Sequence, residues 1–463
     1  MQVSRKPRLL WASVYCLLDT SSGASMAVRQ MLLQLSAHGY ELAVLGATVF
    51  DSERGTAGLL GSWPSVQARR HTVVTLADGS LHHQLYVTAQ TGRPQMSCRE
   101  ESAWLALYRQ TLDGFKPDLV FFLGGQPLDL LIPYEARVRA LPSVFYLANG
   151  QYAQSRWCRD VDLVLTDSRA TAQLYQERQQ VRPVPVGAFI DPAKVLATSH
   201  ARKRLLFVNP RPEKGMHIVA RLAMLLNERR PELVLEVVES RGQWVQALRC
   251  ASGASNASSA SHSPCDSLPN VVVTPNSPDM RPVYGRARVL LAPSLWWESA
   301  GRVLVEAMLN GIPALITDCG GMPETLGDAG FVLSFDADIY KPPYTRVPSD
   351  AALEPLLRHI EALFDDERLY ADYSARARRM AETAHSLDAN TARLLAALEP
   401  LAARRAGDSD PGPQLRAWHK HGLDDRGPAR LAHGNEAKEQ RQTQAMAEAE
   451  AEAVVRAPRR GTP

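Results

Sequence analysis

Residues Pro293 to Pro313 read PSLWWESAGRVLVEAMLNGIP, and this stretch decides the fold. Immediately before it, Arg288 to Pro293 is a short apolar run of the kind found in a buried parallel strand. After it comes a loop carrying Glu298, then Gly301, then an apolar-rich helix that holds Glu306. A strand end followed by a helix start leaves backbone N–H groups without partners, which suits an anion or a polyhydroxylated ligand. Glu298 is placed to accept hydrogen bonds from hydroxyls, and the amides of Ser299, Ala300 and Gly301 are placed to face a phosphate or sugar oxygen.

Working upstream, Arg204 to Val208 reads as a strand, Asn209 to Gly215 as a loop and Met216 to Arg229 as a helix. In that loop Lys214 is a point charge suited to a diphosphate, and Gly215 lets the backbone come close. Leu233 to Val238 and Asn270 to Thr274 add strands, and Pro282 to Ala287 a short helix. Ile312 to Thr317 and Gly330 to Leu333 complete the set. Between two of them, Asp318-Cys319-Gly320-Gly321-Met322-Pro323-Glu324 makes a tight turn with Glu324 at a helix start.

The first half repeats the alternation. Leu9 to Cys16 is a strand, and Val28, Met31, Leu32 and Leu35 mark one face of a helix that Gly39 closes. Glu41 to Gly46, His71 to Leu76 and His82 to Thr88 follow as strands, then a helix over Glu101 to Phe115. Asp118 to Leu123, Ser143 to Leu147 and Leu163 to Thr166 are further strands, and Ala170 to Gln179 a helix. Strand–helix alternation in both halves predicts an α/β protein of two doubly wound Rossmann-like domains facing a cleft. A chain of 463 residues also exceeds what one core usually serves.

The expected division is 1–190 for the first domain and 191–385 for the second, with a flexible polar insertion at 251–264. Residues 386–403 form a closing helix. From 404 to 463 the chain is rich in Gly, Pro, Arg, Asp and Gln, poor in large apolar residues, and expected to be disordered.

The spacing Glu298…Glu306, the Asn209–Gly215 loop and the Gly-Gly-x-Pro-Glu turn together resemble the E-x7-E retaining glycosyltransferases of family four, which have the GT-B fold. The resemblance spans roughly residues 163 to 333, with a looser match over the first helix. It implies transfer of a sugar from a nucleotide-diphosphate donor to an acceptor hydroxyl with retention of configuration. No cofactor or metal is implied. It gives Glu298 the donor-sugar hydroxyls, Glu306 the nucleotide ribose, Lys214 and Gly215 the diphosphate, and the first domain the acceptor. The helix Leu387 to Leu401 would cross back to the first domain.

The chain departs from the family at two places. Where an arginine more often stands five residues before the lysine, this chain has Asn209, with Arg211 as the expected substitute for the charge. A histidine common near the 145–150 segment is missing from Tyr146-Leu147-Ala148-Asn149, and Asn149 is its stand-in. Gly23, Gly125 and Asn149, each in a loop after a strand, are the acceptor-side candidates. The alternatives are a sugar-nucleotide epimerase and a non-catalytic sugar-nucleotide-binding protein.

Bulk composition bounds the partners. A net charge of +3 is too small to make nucleic acid the main partner, although it permits weak contact with an anionic membrane face. The acceptor class stays open among saccharides, lipid-linked saccharides and small molecules. Six scattered cysteines without paired spacing fit a reducing, cytoplasmic setting. Arg5, Lys6 and Arg8 before Leu9 to Leu18 imitate a secretory signal, but a helix and a second strand follow at once, so a first strand is expected. No apolar run approaches the ~18 residues of a membrane span. Asp160-Val161-Asp162, Asp336-Ala337-Asp338 and Asp408-Ser409-Asp410 are taken as chance D-x-D pairs.

Overall fold

The computed structural model describes residues 5–153, 155–251 and 267–403. All but the first residue of the expected insertion, and the expected tail, lie outside the described residues.

The first body is built on an eight-stranded sheet of order β3-β4-β2-β1-β5-β6-β7-β8. Its strands are β1 (Arg8–Ala12), β2 (Glu41–Ala47), β3 (Val73–Asp78), β4 (Leu81–Tyr86), β5 (Leu119–Phe122), β6 (Ser143–Leu147), β7 (Leu163–Thr166) and β8 (Val184–Pro185). All pairings are parallel except the β3–β4 hairpin. Helices α1 (Gly23–Ala37), α2 (Trp63–Gln67), α3 (Cys98–Phe115), α4 (Leu131–Val138) and α5 (Arg169–Gln179) connect them.

Strand β1 sits in the middle and shows why the sheet is covered on both faces. Leu9 and Trp11 point to one side, against Val28, Met31 and Leu32 of α1. Leu10 and Ala12 point to the other, against Trp104, Tyr108 and Ile132. Successive side chains alternate between faces, so a strand buried on both sides must be apolar throughout. The regular strand ends at Ala12, earlier than its apolar run, and residues 13–16 keep a single bridge to the neighbouring segment, Tyr15 to Val49.

The second body has a six-stranded, wholly parallel sheet of order β11-β10-β9-β12-β13-β14. Its strands are β9 (Arg204–Val208), β10 (Leu235–Val238), β11 (Val271–Thr274), β12 (Ala287–Ala292), β13 (Ala314–Thr317) and β14 (Gly330–Leu333). Helices α6 (Met216–Arg229), α7 (Trp244–Ala251), α8 (Arg281–Arg286), α9 (Arg302–Leu309) and α10 (Met322–Leu326) link the strands, and α11 (Asp350–Asp365) and α12 (Glu367–Thr383) follow. Leu205 and Phe207 of β9 pack toward α6 and α11, while Leu206 packs toward α9 and α12. Helices α4 and α7 and the 3-10 segment Glu53–Ser62 with α2 were not expected from sequence.

Helix α13 (Leu387–Ala402) leaves the second body and packs on the first. Leu394, Leu398 and Leu401 join Val28, Leu32 and Leu35 in one cluster, and the Asn390 amide donates 2.6 Å to the Ala188 carbonyl. Leu398 is fully buried. Leu398→Ala should therefore cost about 2–5 kcal/mol in denaturant unfolding; a change within experimental error would show that α13 is not docked. Among the described residues no helix is long and apolar enough to cross a membrane.

Candidate active site

Between the bodies lies a cavity of about 810 Å³, at the C-terminal ends of the strands, where open α/β sheets bind ligands. Its floor on the second-body side comes from two strand–loop–helix units, β9 to α6 and β12 to α9. Lys214 stands at the end of the first loop and Glu298 in the second, and they form a direct ion pair. Glu298 Oε1 also accepts hydrogen bonds from Ser294 Oγ at 2.9 Å and Trp296 Nε1 at 2.7 Å. The Lys214 ammonium lies 5.0 Å from the centroid of the Trp296 ring, a second source of attraction for the cation. Burial raises the Glu298 carboxyl, but the Lys214 charge and the hydrogen bonds from Lys214, Trp296 and Ser294 outweigh it, and its pKa is held below the ordinary value.

The Glu298 loop owes its shape to two glycines outside it, one on each side in the chain. Gly215 has φ of 79°, and a Cβ there would lie 2.1 Å from the Pro293 carbonyl oxygen. At Gly321 a Cβ would lie 1.8 Å from the Ser299 carbonyl oxygen, and the Gly321 N–H donates 2.8 Å to the Glu298 carbonyl. The Gly-Gly turn thus braces the Glu298 loop from behind. Ser299, Ala300 and Gly301 line the cavity at the start of α9.

Glu306 lies one turn into α9 and is 7% exposed. It accepts a 2.5 Å hydrogen bond from the Tyr284 hydroxyl and pairs with Arg302 Nε at 2.6 Å. Burial, then the Glu306 charge, push the Tyr284 hydroxyl well above its ordinary pKa, so it remains a donor. Both Glu306 and Arg302 line the cavity.

Other expected residues fall in different places. Asn209 lines the cavity, but its Oδ1 accepts the N–H groups of Arg241 and Gly242 at 3.1 and 3.2 Å, which makes it a brace for the neighbouring loop. Arg211 does not line the cavity and pairs with Glu213 at 2.5 Å. Gly215 and Gly125 stand behind the wall, Gly125 with Tyr152 packed where a Cβ would go. Gly23 and Asn149 line the cavity. Asn149 Oδ1 is occupied by the Gln151 N–H at 3.0 Å, and the Asn149 backbone bridges Glu298 across the seam. In the aspartate pairs Asp160 pairs with Arg137, and Asp338 with Lys341 and Arg346. Asp408 and Asp410 lie outside the described residues.

Several cavity residues were missed. Arg302 was legible as the i, i+4 partner of Glu306. Arg241, 3.7 Å from Asp51 of the first body, had no local signal. Nor did Asp167, at the end of β7, where burial pushes the carboxyl up to about 7 against hydrogen bonds from Tyr146 and Ser299 and the Arg302 charge. Glu324 turns out to serve the seam: its carboxylate accepts the Arg169 and Ala170 N–H groups at 3.2 and 2.8 Å, capping α5 from the other body.

Two Rossmann-like bodies about a cleft, joined by a returning helix, define the GT-B fold. Residues 202–340 match the family model for glycosyl transferases group 1, a span that lies within the second body. A search of curated proteins finds no match in sequence. Solved structures share the fold at low identity. HepE from Anabaena, solved with UDP and glucose, aligns with a TM-score of 0.58 at 16% identity over 85% of this chain and 100% of its own. A glycosyltransferase from Rickettsia africae gives 0.57 at 13% identity over 87% and 100%. Sucrose-phosphate synthase from Thermosynechococcus elongatus gives 0.54 at 14% over 90% and 98%.

Proposed function

We propose that this protein moves a sugar from a nucleotide-diphosphate donor to an acceptor hydroxyl, with retention of anomeric configuration and without a divalent cation. The observation that carries this reading is the convergence of Lys214, Glu298, the start of α9 and Glu306 on one cleft wall. The group 1 match over residues 202–340 supports it, since that span holds all of these residues. HepE, a fold neighbour, was solved with UDP and glucose, which favours uridine donors as the first to test.

In this reading the donor diphosphate lies between Lys214 and the amides of Ser299 to Gly301, and Glu306 takes the ribose hydroxyls. The sugar rests on Glu298. The bond from the anomeric carbon to the diphosphate breaks as the bond to the acceptor oxygen forms on the same face. The departing diphosphate oxygen takes the acceptor proton. The chain supplies charge stabilisation and alignment, both strongest as the negative charge develops on the leaving group. The acceptor, a saccharide, lipid-linked saccharide or small molecule, enters along the first-body wall that includes Gly23 and Asn149.

The test is a turnover panel of uridine and guanosine sugar nucleotides with saccharide acceptors, with and without a strong chelator. Anomeric configuration of the product is read by NMR. Acceptor-dependent release of nucleoside diphosphate, unaffected by chelator and giving a retained product, is expected. An inverted product, or loss of activity that magnesium reverses, contradicts the mechanism. A changed sugar formed without acceptor indicates an epimerase, and binding without release a non-catalytic protein.

A further inference from the structure

Asp167, in the first body, meets the start of α9 through Ser299 and Arg302. It follows β7 directly, lines the cleft, and accepts a 2.6 Å hydrogen bond from the Tyr146 hydroxyl of β6. From across the seam it receives the Ser299 hydroxyl and faces Arg302. Thr166, its neighbour, touches the same Ser299 hydroxyl at 3.3 Å. Arg302 in turn pairs with Glu306, which Tyr284 holds. A polar chain therefore runs from Tyr146 through Asp167, Arg302 and Glu306 to Tyr284, with members from both bodies.

We propose that Asp167 is a donor-site residue contributed by the first body, which hydrogen-bonds the donor diphosphate from the side opposite Lys214. The proposal rests on the donor reading above, because the diphosphate position is the one in front of Ser299 to Gly301. A carboxylate facing a diphosphate repels it, whereas a carboxylic acid donates a hydrogen bond to it. The acid form is accessible because burial raises the Asp167 pKa to about 7. Donor affinity then depends on the fraction protonated, and falls as pH rises through that value. The charged group that faces Asp167 is Arg302, with its partner Glu306, on α9. Tyr146 is a hydroxyl whose own pKa burial and Asp167 push well up, so it stays protonated. No histidine is among the described residues lining the cleft, so none competes as the source of such a pH dependence.

The probe is UDP-glucose, whose phosphodiester groups stay ionised through the neutral range, with GDP-mannose as the second nucleotide sugar. Binding is measured by calorimetry between about pH 6 and about pH 8.5 for the wild type and the Asp167→Asn, Asp167→Ala and Tyr146→Phe variants. The wild-type affinity should fall by roughly tenfold or more across this range. Asp167→Asn, which keeps a donor without a charge, should bind with little pH dependence and near the wild-type low-pH affinity. Asp167→Ala should be equally flat but several-fold weaker. Tyr146→Phe removes a hydrogen bond from the ionised form, so its fall should move to higher pH. A flat wild-type profile, or an Asp167→Asn profile that falls like the wild type, overturns the proposal and leaves the donor site standing. Failure of both nucleotide sugars to bind the folded wild type at any pH defeats the donor reading, and the proposal with it.

Discussion

Lys214→Ala is expected to lower kcat about a hundredfold, measured as nucleoside diphosphate release at saturating donor and acceptor. The ammonium sits in a part-buried pair with Glu298 and beside the Trp296 ring, so its field acts in a poorly hydrated place. Charge on the leaving diphosphate grows along the reaction, and a fixed cation is worth most when that charge is greatest. The same change should cost stability. Glu298 keeps its hydrogen bonds from Ser294 and Trp296 but loses its counter-charge. A loss of about 1–3 kcal/mol is expected, between the values for exposed and buried pairs. The pH dependence has a definite sign. A carboxyl whose folded pKa is depressed stabilises the fold above its unfolded pKa and loses that contribution as pH falls through the folded value. Without Lys214 the folded pKa rises, so the contribution is smaller and disappears at a less acid pH. Wild-type kcat in a folded Lys214→Ala variant would remove Lys214 from the chemistry.

Glu298→Gln and Glu306→Gln should separate two roles. At Glu298 the amide oxygen can keep the Ser294 and Trp296 hydrogen bonds, while the charge that pairs with Lys214 is lost. In the proposed donor orientation the residue holds the sugar that carries the reacting carbon, so both kcat and donor KM should worsen, with kcat/KM falling by roughly 10²-fold. Glu306 is held by Tyr284 on one oxygen and Arg302 on the other, and in the proposed orientation it meets the ribose, away from the reacting carbon. A ribose contact is nearly the same in the ground and transition states, so Glu306→Gln should raise donor KM about tenfold and change kcat by less than about threefold. Steady-state kinetics over donor concentration reads both. The reverse pattern, with kcat lost at Glu306 and unchanged at Glu298, would exchange their roles.

The cleft wall that holds Lys214, Glu298 and Glu306 was legible in the sequence because each part of it is local. β9, its loop and α6, and then β12, the Glu298 loop and α9, are continuous segments whose periodicity switches from a short buried strand to an amphipathic helix. What could not be read is what only packing creates. Asp167 and Tyr146 look like ordinary residues at the ends of strands, and they become cleft residues because β6 and β7 end opposite Ser299 and Arg302. Arg241 faces Asp51 only because the segment after β2 arches over to the second body, where Arg54 also reaches the Ser240 carbonyl. Arg211 shows the converse. Its charge and position suit a phosphate, but Glu213 two residues on takes it. The Gly320-Gly321 pair was legible as a tight strand-to-helix turn, but its close contacts with the backbone of Glu298 and Ser299 come from packing alone.

The proposed transfer requires a sugar nucleotide to lie along this wall in one orientation. A crystal structure of the protein with an intact sugar nucleotide tests it most directly. The diphosphate is expected between Lys214 and the amides of Ser299 to Gly301, the ribose at Glu306 and the sugar at Glu298. A nucleotide bound elsewhere, or bound here with the sugar at Glu306 and the ribose at Glu298, would contradict it.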